Sequence, residues 1–547
     1  MTFRQIVLSI LTALVLLVSA GPALVGSLEQ QQISDRLELY QTDMMLQASE
    51  LKVAAGDEQL VPVQSILIGQ SPLESGLKAY QSTRQTAAKN LQRLQTQLAQ
   101  LRANIGVVAD DALAGGSAMQ QLQMLQTQFS QVQGNLVTQQ ALLNQLDLQI
   151  GVLQAAQGDV STAQQTWMTL LNPVTREQQA SEQQEAIALL NQADPAKATA
   201  AVLQGLWAEP GVIAPDAAAK INQQLTGWFR DRTLRRLYEL QGDTVALTAL
   251  QQARQTAAQQ VTTKLALIGV GPLLGCLIGG GLLIFAIVQR FVMREKAVLA
   301  EPQAKTWEVA WNWEITWQVI VVGFFFVGQL VIPILFQLFK PQLAQVGSSV
   351  GLVAGRFTAV STLIVYGLMA AGAIGVLYAS IKEYGPLANG WFRIKFQEFW
   401  WLWGLGGYLV AVPLVIGVSI ANQTLWQGRG GSNPLLQTVL EEGDGVALGV
   451  FFFTAAIAAP LFEELFFRGF LLPSLTRYTS TWGAIALSSL LFATAHLSVS
   501  EILPLTVLGI VLGFVYSRTN NLLAPMMVHS LWNSATMLGL LVLGSSV

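Results

Sequence analysis

The sequence predicts an all-α protein. A polytopic membrane helix bundle of about eight C-terminal spans is preceded by one N-terminal signal anchor and an extracytoplasmic all-helical domain. Three observations carry this expectation. Of 547 residues, 52% are hydrophobic and 12% are charged, with a mean hydropathy of +0.45, a balance few water-soluble chains show. From about Leu265 onward the apolar residues gather into runs near bilayer length. The stretch before them is polar, with its apolar residues at helical spacing.

The first element is Arg4 followed by an apolar run from Ile6 to about Val25. One positive charge before such a run marks a signal peptide or a signal anchor. Val18-Ser19-Ala20 would serve as a small-residue cleavage site, but the run continues past it, which favours an uncleaved anchor over residues 1–27.

Residues 28–262 are rich in Gln, Ala and Leu and poor in Gly, Pro and aromatics. Leu91-Leu94-Leu98-Leu101 and Leu122-Leu125-Phe129-Val132 repeat at three- and four-residue spacings, the pattern of amphipathic helices or a helical hairpin. The opposite faces are mostly Gln, so charge-specified coiled-coil pairing is weakly supported. Two later helical patterns end in Gly158-Asp159 and Gly242-Asp243, a faint likeness to tetratricopeptide helix–turn–helix units. An irregular helical domain is the alternative. With no catalytic constellation visible, a spacer or partner-binding role is the expectation here.

The third element is the membrane domain, residues 263–547. Apolar runs fall at roughly 265–288, 316–339, 358–381, 399–421, 445–462, 482–497, 502–517 and 522–544. The shortest lie near polar islands, where a broken or short helix can line a buried cavity. Basic residues set the orientation. Arg290, Arg294, Lys296, Lys305, Lys382, Arg393, Lys395, Arg468, Arg477 and Arg518 fall after alternate spans, against Lys340, Arg356 and Arg429 in the others. The first group marks the cytoplasmic side, Arg4 agrees, and residues 28–262 are expected outside the cytoplasm.

Composition also excludes. A net charge of −3 gives no reason to expect nucleic-acid binding. A single cysteine, Cys276, allows no intrachain disulfide framework and no Cys-rich metal site.

Three polar islands interrupt the last spans. The chain has only two histidines, and both are here. The first island is Phe462-Glu463-Glu464-Leu465-Phe466-Phe467-Arg468. Ionisable groups at bilayer depth cost roughly 2.5–3.5 kcal/mol each on insertion scales, so they tend to be kept for function. Glu464 and Arg468 share a helical face, which points to a supporting ion pair. Glu463 is turned about 100° away and is free for chemistry. A membrane-edge salt bridge without catalysis is the alternative. The second island is His496, with Phe492 one turn earlier. The third is His529 with Asn533 four residues on, a donor pair for a developing oxyanion or an interhelical hydrogen bond.

Together the islands, Glu-Glu-x-x-x-Arg, Phe-x-x-x-His and His-x-x-x-Asn on successive spans, resemble the CPBP family. These are CaaX-type prenyl endopeptidases and bacteriocin-processing or immunity-type (Abi-like) intramembrane proteases. The resemblance covers roughly residues 440–544 and leaves 28–262 outside it. It implies that Glu463 and His496 activate a water, that His529 and Asn533 stabilise the oxyanion, and that Glu464, Arg468 and Phe492 support them. It leaves open a metal-free reaction or a divalent metal such as zinc held by Glu463, His496 and His529. His-Glu-x-x-His is absent, which excludes an ordinary zincin helix.

The function expected is therefore an intramembrane endopeptidase acting on a membrane-associated protein or peptide, multi-pass in the lipid bilayer, with residues 28–262 available to a protein partner. The alternative is a non-catalytic scaffold or immunity-type factor on the same fold. A transporter is disfavoured, because the ionisable groups cluster in one place and no internal repeat of the spans is visible.

Overall fold

The computed structural model describes residues 2–28, 30, 32–51, 68–112, 116–171, 195–300, 307–388, 390–426 and 428–544. Its described elements are all helices. It divides into two compact units, Met1–Ser34 with Leu267–Ser545, and Asp35–Ala266. Lys305 lies outside the described residues.

In the second unit, Pro72–Ala112 and Gly116–Ala156 are long helices. Leu91, Leu94, Leu98 and Leu101 on one, and Leu122, Leu125 and Phe129 on the other, are the half-buried positions of otherwise exposed stretches. The stripe read from the sequence is thus the buried one. Toward the base, Arg84 Nη2 donates to Asp147 Oδ2 at 3.0 Å and ties the two helices together. Shorter helices follow, including Val160–Leu171, Pro195–Leu206 and Gly227–Gln241, around a core containing Trp167, Leu203 and Phe229. Both Gly-Asp pairs do the same work. Gly158 and Gly242 adopt left-handed backbone angles (φ 92° and 68°), and Asp159 and Asp243 accept from the N–H groups of Thr162 and Ala246. Each pair ends one helix and caps the next.

Among the described residues eight helices are long and apolar enough to cross a membrane, and a ninth apolar helix is shorter. In chain order these are α1 Phe3–Ser27, α2 Thr244–Lys296, α3 Trp313–Ser349, α4 Ala354–Tyr384, α5 Trp400–Trp426, α6 Gly445–Leu475, α7 Thr481–Thr494, α8 Val499–Thr519 and α9 Leu523–Gly544. The expected eight C-terminal spans are met by seven long helices and the short α7. At 1.5 Å per residue α7 rises only about 21 Å. The part of α2 from Leu267 belongs to the bundle. A Cβ on its Gly279 would lie 1.8 Å from Leu409 O of α5, so only glycine permits this close approach.

Hydrogen bonds sort the connections into two ends. At one end Val499 N donates to Ser27 Oγ (3.1 Å), Gln32 N to Gly428 O (2.9 Å), Ile33 N to Ser432 Oγ (3.1 Å) and Asn433 N to Glu501 Oε1 (2.8 Å). At the other, Leu522 N donates to Arg393 O (2.9 Å), Arg477 Nη1 to Val309 O (3.2 Å) and Arg4 Nε to Gln318 Oε1 (3.0 Å). Among the described residues, the basic loop residues assigned above to the cytoplasm belong to the second end except Arg468, which is fully buried inside the bundle and is not a loop charge.

Candidate active site

The site begins with the way α6 is wound. The helix contains two wide turns, Thr454–Ala458 and Leu465–Leu471, on either side of the two glutamates. Pro460 explains the first. In that turn Ala459 N bonds to Thr454 O, so Ala455 O would next be met by residue 460, which has no N–H. Asn533 Nδ2 from α9 donates to Ala455 O at 2.8 Å and fills the vacancy. A proline thereby creates the carbonyl that fixes Asn533, and with it the register of α9 against α6.

One turn further on, Glu464 and Arg468 are both fully buried and 2.8 Å apart. Arg468 Nη2 also donates to Gly509 O of α8 (3.2 Å), and its guanidinium lies 4.5 Å from the centre of the Phe492 ring. Two desolvated charges are tolerable because each is paired and hydrogen-bonded. Glu464 Oε1 also meets His529 Nδ1 at 2.8 Å. An ionised carboxylate only accepts, so Nδ1 carries the proton and His529 Nε2 is left as an acceptor. That nitrogen is 3.9 Å from Glu463 Oε2, too long for a direct hydrogen bond.

Glu463 itself is 15% exposed at the side chain. Its Oε1 accepts from Tyr366 Oη of α4 at 3.0 Å, while its Oε2 is buried without a hydrogen-bond partner among the described residues. His529 is the imidazole within 4.0 Å of Glu463 among the described residues. His496 sits in the turn just past the C-terminus of short α7, where its Nδ1 meets Phe492 O at 2.9 Å and Nε2 is left over. The ring of Phe492 lies edge-on to both imidazoles, 5.0 Å from His496 and 5.6 Å from His529. The pairing drawn from the resemblance, Glu463 with His496 and His529 with Asn533, thus differs from the nearest neighbours here. His529 is on Glu464 and beside Glu463, and Asn533 holds a backbone carbonyl.

Glu463, His496, His529 and Asn533 all line one cavity of about 620 Å³, together with Tyr366, Gln329 and Glu501. Sequence reasoning missed these last three. Their signals were slight: a phenol in the span 358–381, one of several amides along α3, and an acid in the first turn of α8. Gln329 Nε2 donates to Ala495 O at 2.8 Å and so props the His496 turn. Among the described residues no three or more His, Cys, Asp or Glu side chains gather in a way that could hold a metal ion. With each Nδ1 engaged, Nε2 is the nitrogen either imidazole could offer a metal, but Glu463, His496 and His529 do not gather as one such group.

The fold and site define a class: a polytopic helical membrane protein with a carboxylate–imidazole cluster walled into its bundle. Residues 445–535 match the family model described as Type II CAAX prenyl endopeptidase Rce1-like, which bears out the resemblance read from the three motifs. The chain is 28% identical over 134 residues to "Putative membrane peptidase YdiL" of Bacillus subtilis (strain 168), covering 24% of this chain and 53% of that protein. It is 39% identical over 75 residues to "UPF0177 protein YxdF" of Lactococcus lactis subsp. lactis (strain IL1403), covering 14% and 41% respectively. The chain thus spans about half the length of the curated relatives it matches. No solved structure matches it significantly.

Proposed function

We propose that the protein is a membrane-embedded endopeptidase that hydrolyses a peptide bond in a membrane-associated protein or peptide, using a water activated by Glu463. The observation that most supports this is the side-chain series Arg468–Glu464–His529, which ends beside an unpartnered, buried oxygen of Glu463 on the wall of a cavity. This series leaves Glu463 Oε2 and His529 Nε2 open and facing each other, the arrangement a water between a base and an acceptor needs.

In this reading Glu464 fixes the tautomer of His529, and Tyr366 holds Glu463 by one oxygen so that the other takes the proton of the attacking water. The water oxygen bonds to the scissile carbonyl carbon. Glu463 then passes the proton to the amide nitrogen as the C–N bond breaks. Asn533 keeps a second amide N–H for the developing oxyanion, and His496 offers Nε2 to the substrate from the opposite wall. The basic loop end of the bundle is cytoplasmic, and residues 28–262 are extracytoplasmic and recruit partners.

The test compares membrane-fraction proteomes of cells carrying wild type and Glu463→Gln. Loss of the general base removes about 10²–10⁴ in rate, so a precursor should accumulate. Unchanged processing by a folded Glu463→Gln protein refutes the proposal.

A further inference from the structure

The proposed reaction leaves unspecified from which side its substrate arrives. Two independent observations bear on that. The cavity that holds Glu463 and His529 is continued by Gln32, Gln423, Ser432, Asn433, Ser500 and Glu501. All six belong to the end of the bundle where α1 finishes, α5 passes into α6, and α7 passes into α8. The residues after α1 are stitched across this rim. Val499 N bonds to Ser27 Oγ, Gly431 N to Gln30 O (3.1 Å), and Gln32 N to Gly428 O. The basic loops, with Arg393, Lys395, Arg477 and Arg518, lie at the opposite end. Basic loops face the cytoplasm. The cavity therefore extends toward the face away from the cytoplasm.

The lining carries a second message. It includes two carboxylates, Glu463 and Glu501, several amides and hydroxyls, and among the described residues no Lys or Arg. Arg468 lies behind this wall, paired with Glu464. With no permanent cation and two carboxylates in its lining, beside two imidazoles, the cavity disfavours a free C-terminal carboxylate or an acidic side chain, whereas amides and hydroxyls suit an extended backbone.

Building on the proposed endopeptidase activity, we infer that the substrate is an internal, uncharged or basic segment of a membrane-tethered polypeptide, and that it enters from the extracytoplasmic face past the rim formed by the segment after α1.

Thiol labelling of the full chain tests this. Cys276→Ala removes the single native thiol. Leu436→Cys, on the helix Pro434–Glu441 and facing the cavity, and Lys395→Cys, in a basic loop, are then placed singly. Intact bacterial cells are treated with membrane-impermeant methanethiosulfonates, one bearing a trimethylammonium and one a sulfonate. Leu436→Cys should react in intact cells, and Lys395→Cys only after permeabilisation. Normalised to a free thiol, the cation should react at position 436 about tenfold faster than the anion. Labelling of Lys395→Cys but not Leu436→Cys in intact cells overturns the inferred side of entry. Equal rates for the two reagents overturn the inferred charge preference. Labelling reports access, and precursor accumulation in Glu463→Gln reports proteolysis, so either can fail alone. The pattern of sidedness should be the same in the Glu463→Gln background.

Discussion

Asp43 of the helical unit is a half-buried residue whose carboxyl titration should be readable in the stability of that unit. It lies on the helix Ser34–Ser49 and reaches the start of the helix Gly227–Gln241. There its Oδ1 accepts from Trp228 N (3.2 Å) and its Oδ2 from Gln47 Nε2 (2.9 Å). Gly227, with φ 53°, lies so close that a Cβ would be 2.3 Å from Oδ2. Burial pushes the Asp43 carboxyl up from 3.8 to about 6. The two hydrogen bonds oppose this, neighbouring Asp231 adds to it, and Arg230 opposes it. Between these two values the folded state holds a proton that the unfolded state has released. Stability from this group is therefore complete below about pH 4 and is lost as pH rises through about 6. The distance from 3.8 to about 6, at about 1.4 kcal/mol per pH unit, gives about 3 kcal/mol. Asp43→Asn should flatten the profile in that window and make the unit more stable than wild type at pH 7, by up to about 3 kcal/mol. The assay is hydrogen exchange on the detergent-solubilised full chain from pH 4 to 7.5, corrected for intrinsic rates and read on peptides within 34–49 and 227–241. If wild type loses less than about 1 kcal/mol of protection across the window, or Asp43→Asn shows the same slope, the burial argument fails.

Three further outcomes are expected. Arg468→Met should leave the buried Glu464 with His529 but no cation beside it and cost about 3–5 kcal/mol, while adding Glu464→Gln should recover part of it. Thermal unfolding in detergent across the double-mutant cycle measures this, and purely additive losses would contradict the pair. Tyr366→Phe removes the donor to Glu463 and should lower kcat about tenfold at unchanged KM and unchanged melting temperature, because it positions the base without holding the fold. Steady-state kinetics on the identified precursor decide it, and a loss confined to KM would instead make Tyr366 a substrate contact. Finally, Asp or Glu placed within two residues of the scissile bond should slow cleavage about tenfold or more, since the cavity has no cation to meet it. Lys at the same positions should be tolerated, as a substitution series on the precursor would show.

Much of this molecule was open to reading from the chain. The half-buried leucines from Leu91 to Leu101 are the apolar stripe of the sequence, because helical period alone decides which side of a long helix can leave water. Gly158-Asp159 and Gly242-Asp243 announced their turns for an equally local reason, a left-handed glycine followed by a capping carboxylate. The pairing of Glu464 with Arg468 followed from their four-residue spacing. Arg468 nevertheless misled the count of loop charges, because a guanidinium buried in mid-bundle looks in sequence like one at a span's edge.

The sequence by itself determined that the chain is helical, that its second half suits a bilayer, and which few polar side chains interrupt that half. Tertiary structure decided how those side chains are shared out. It put His529 between the two glutamates, set Asn533 on the carbonyl that Pro460 leaves open, and brought Tyr366 from a helix nearly a hundred residues away. It also showed to which end of the bundle the cavity runs. The physical reason is that period and spacing specify a side chain's direction on its own helix. Which groups then meet depends on the rotation, depth and wide turns of neighbouring helices, and these are set by packing between segments distant in the chain.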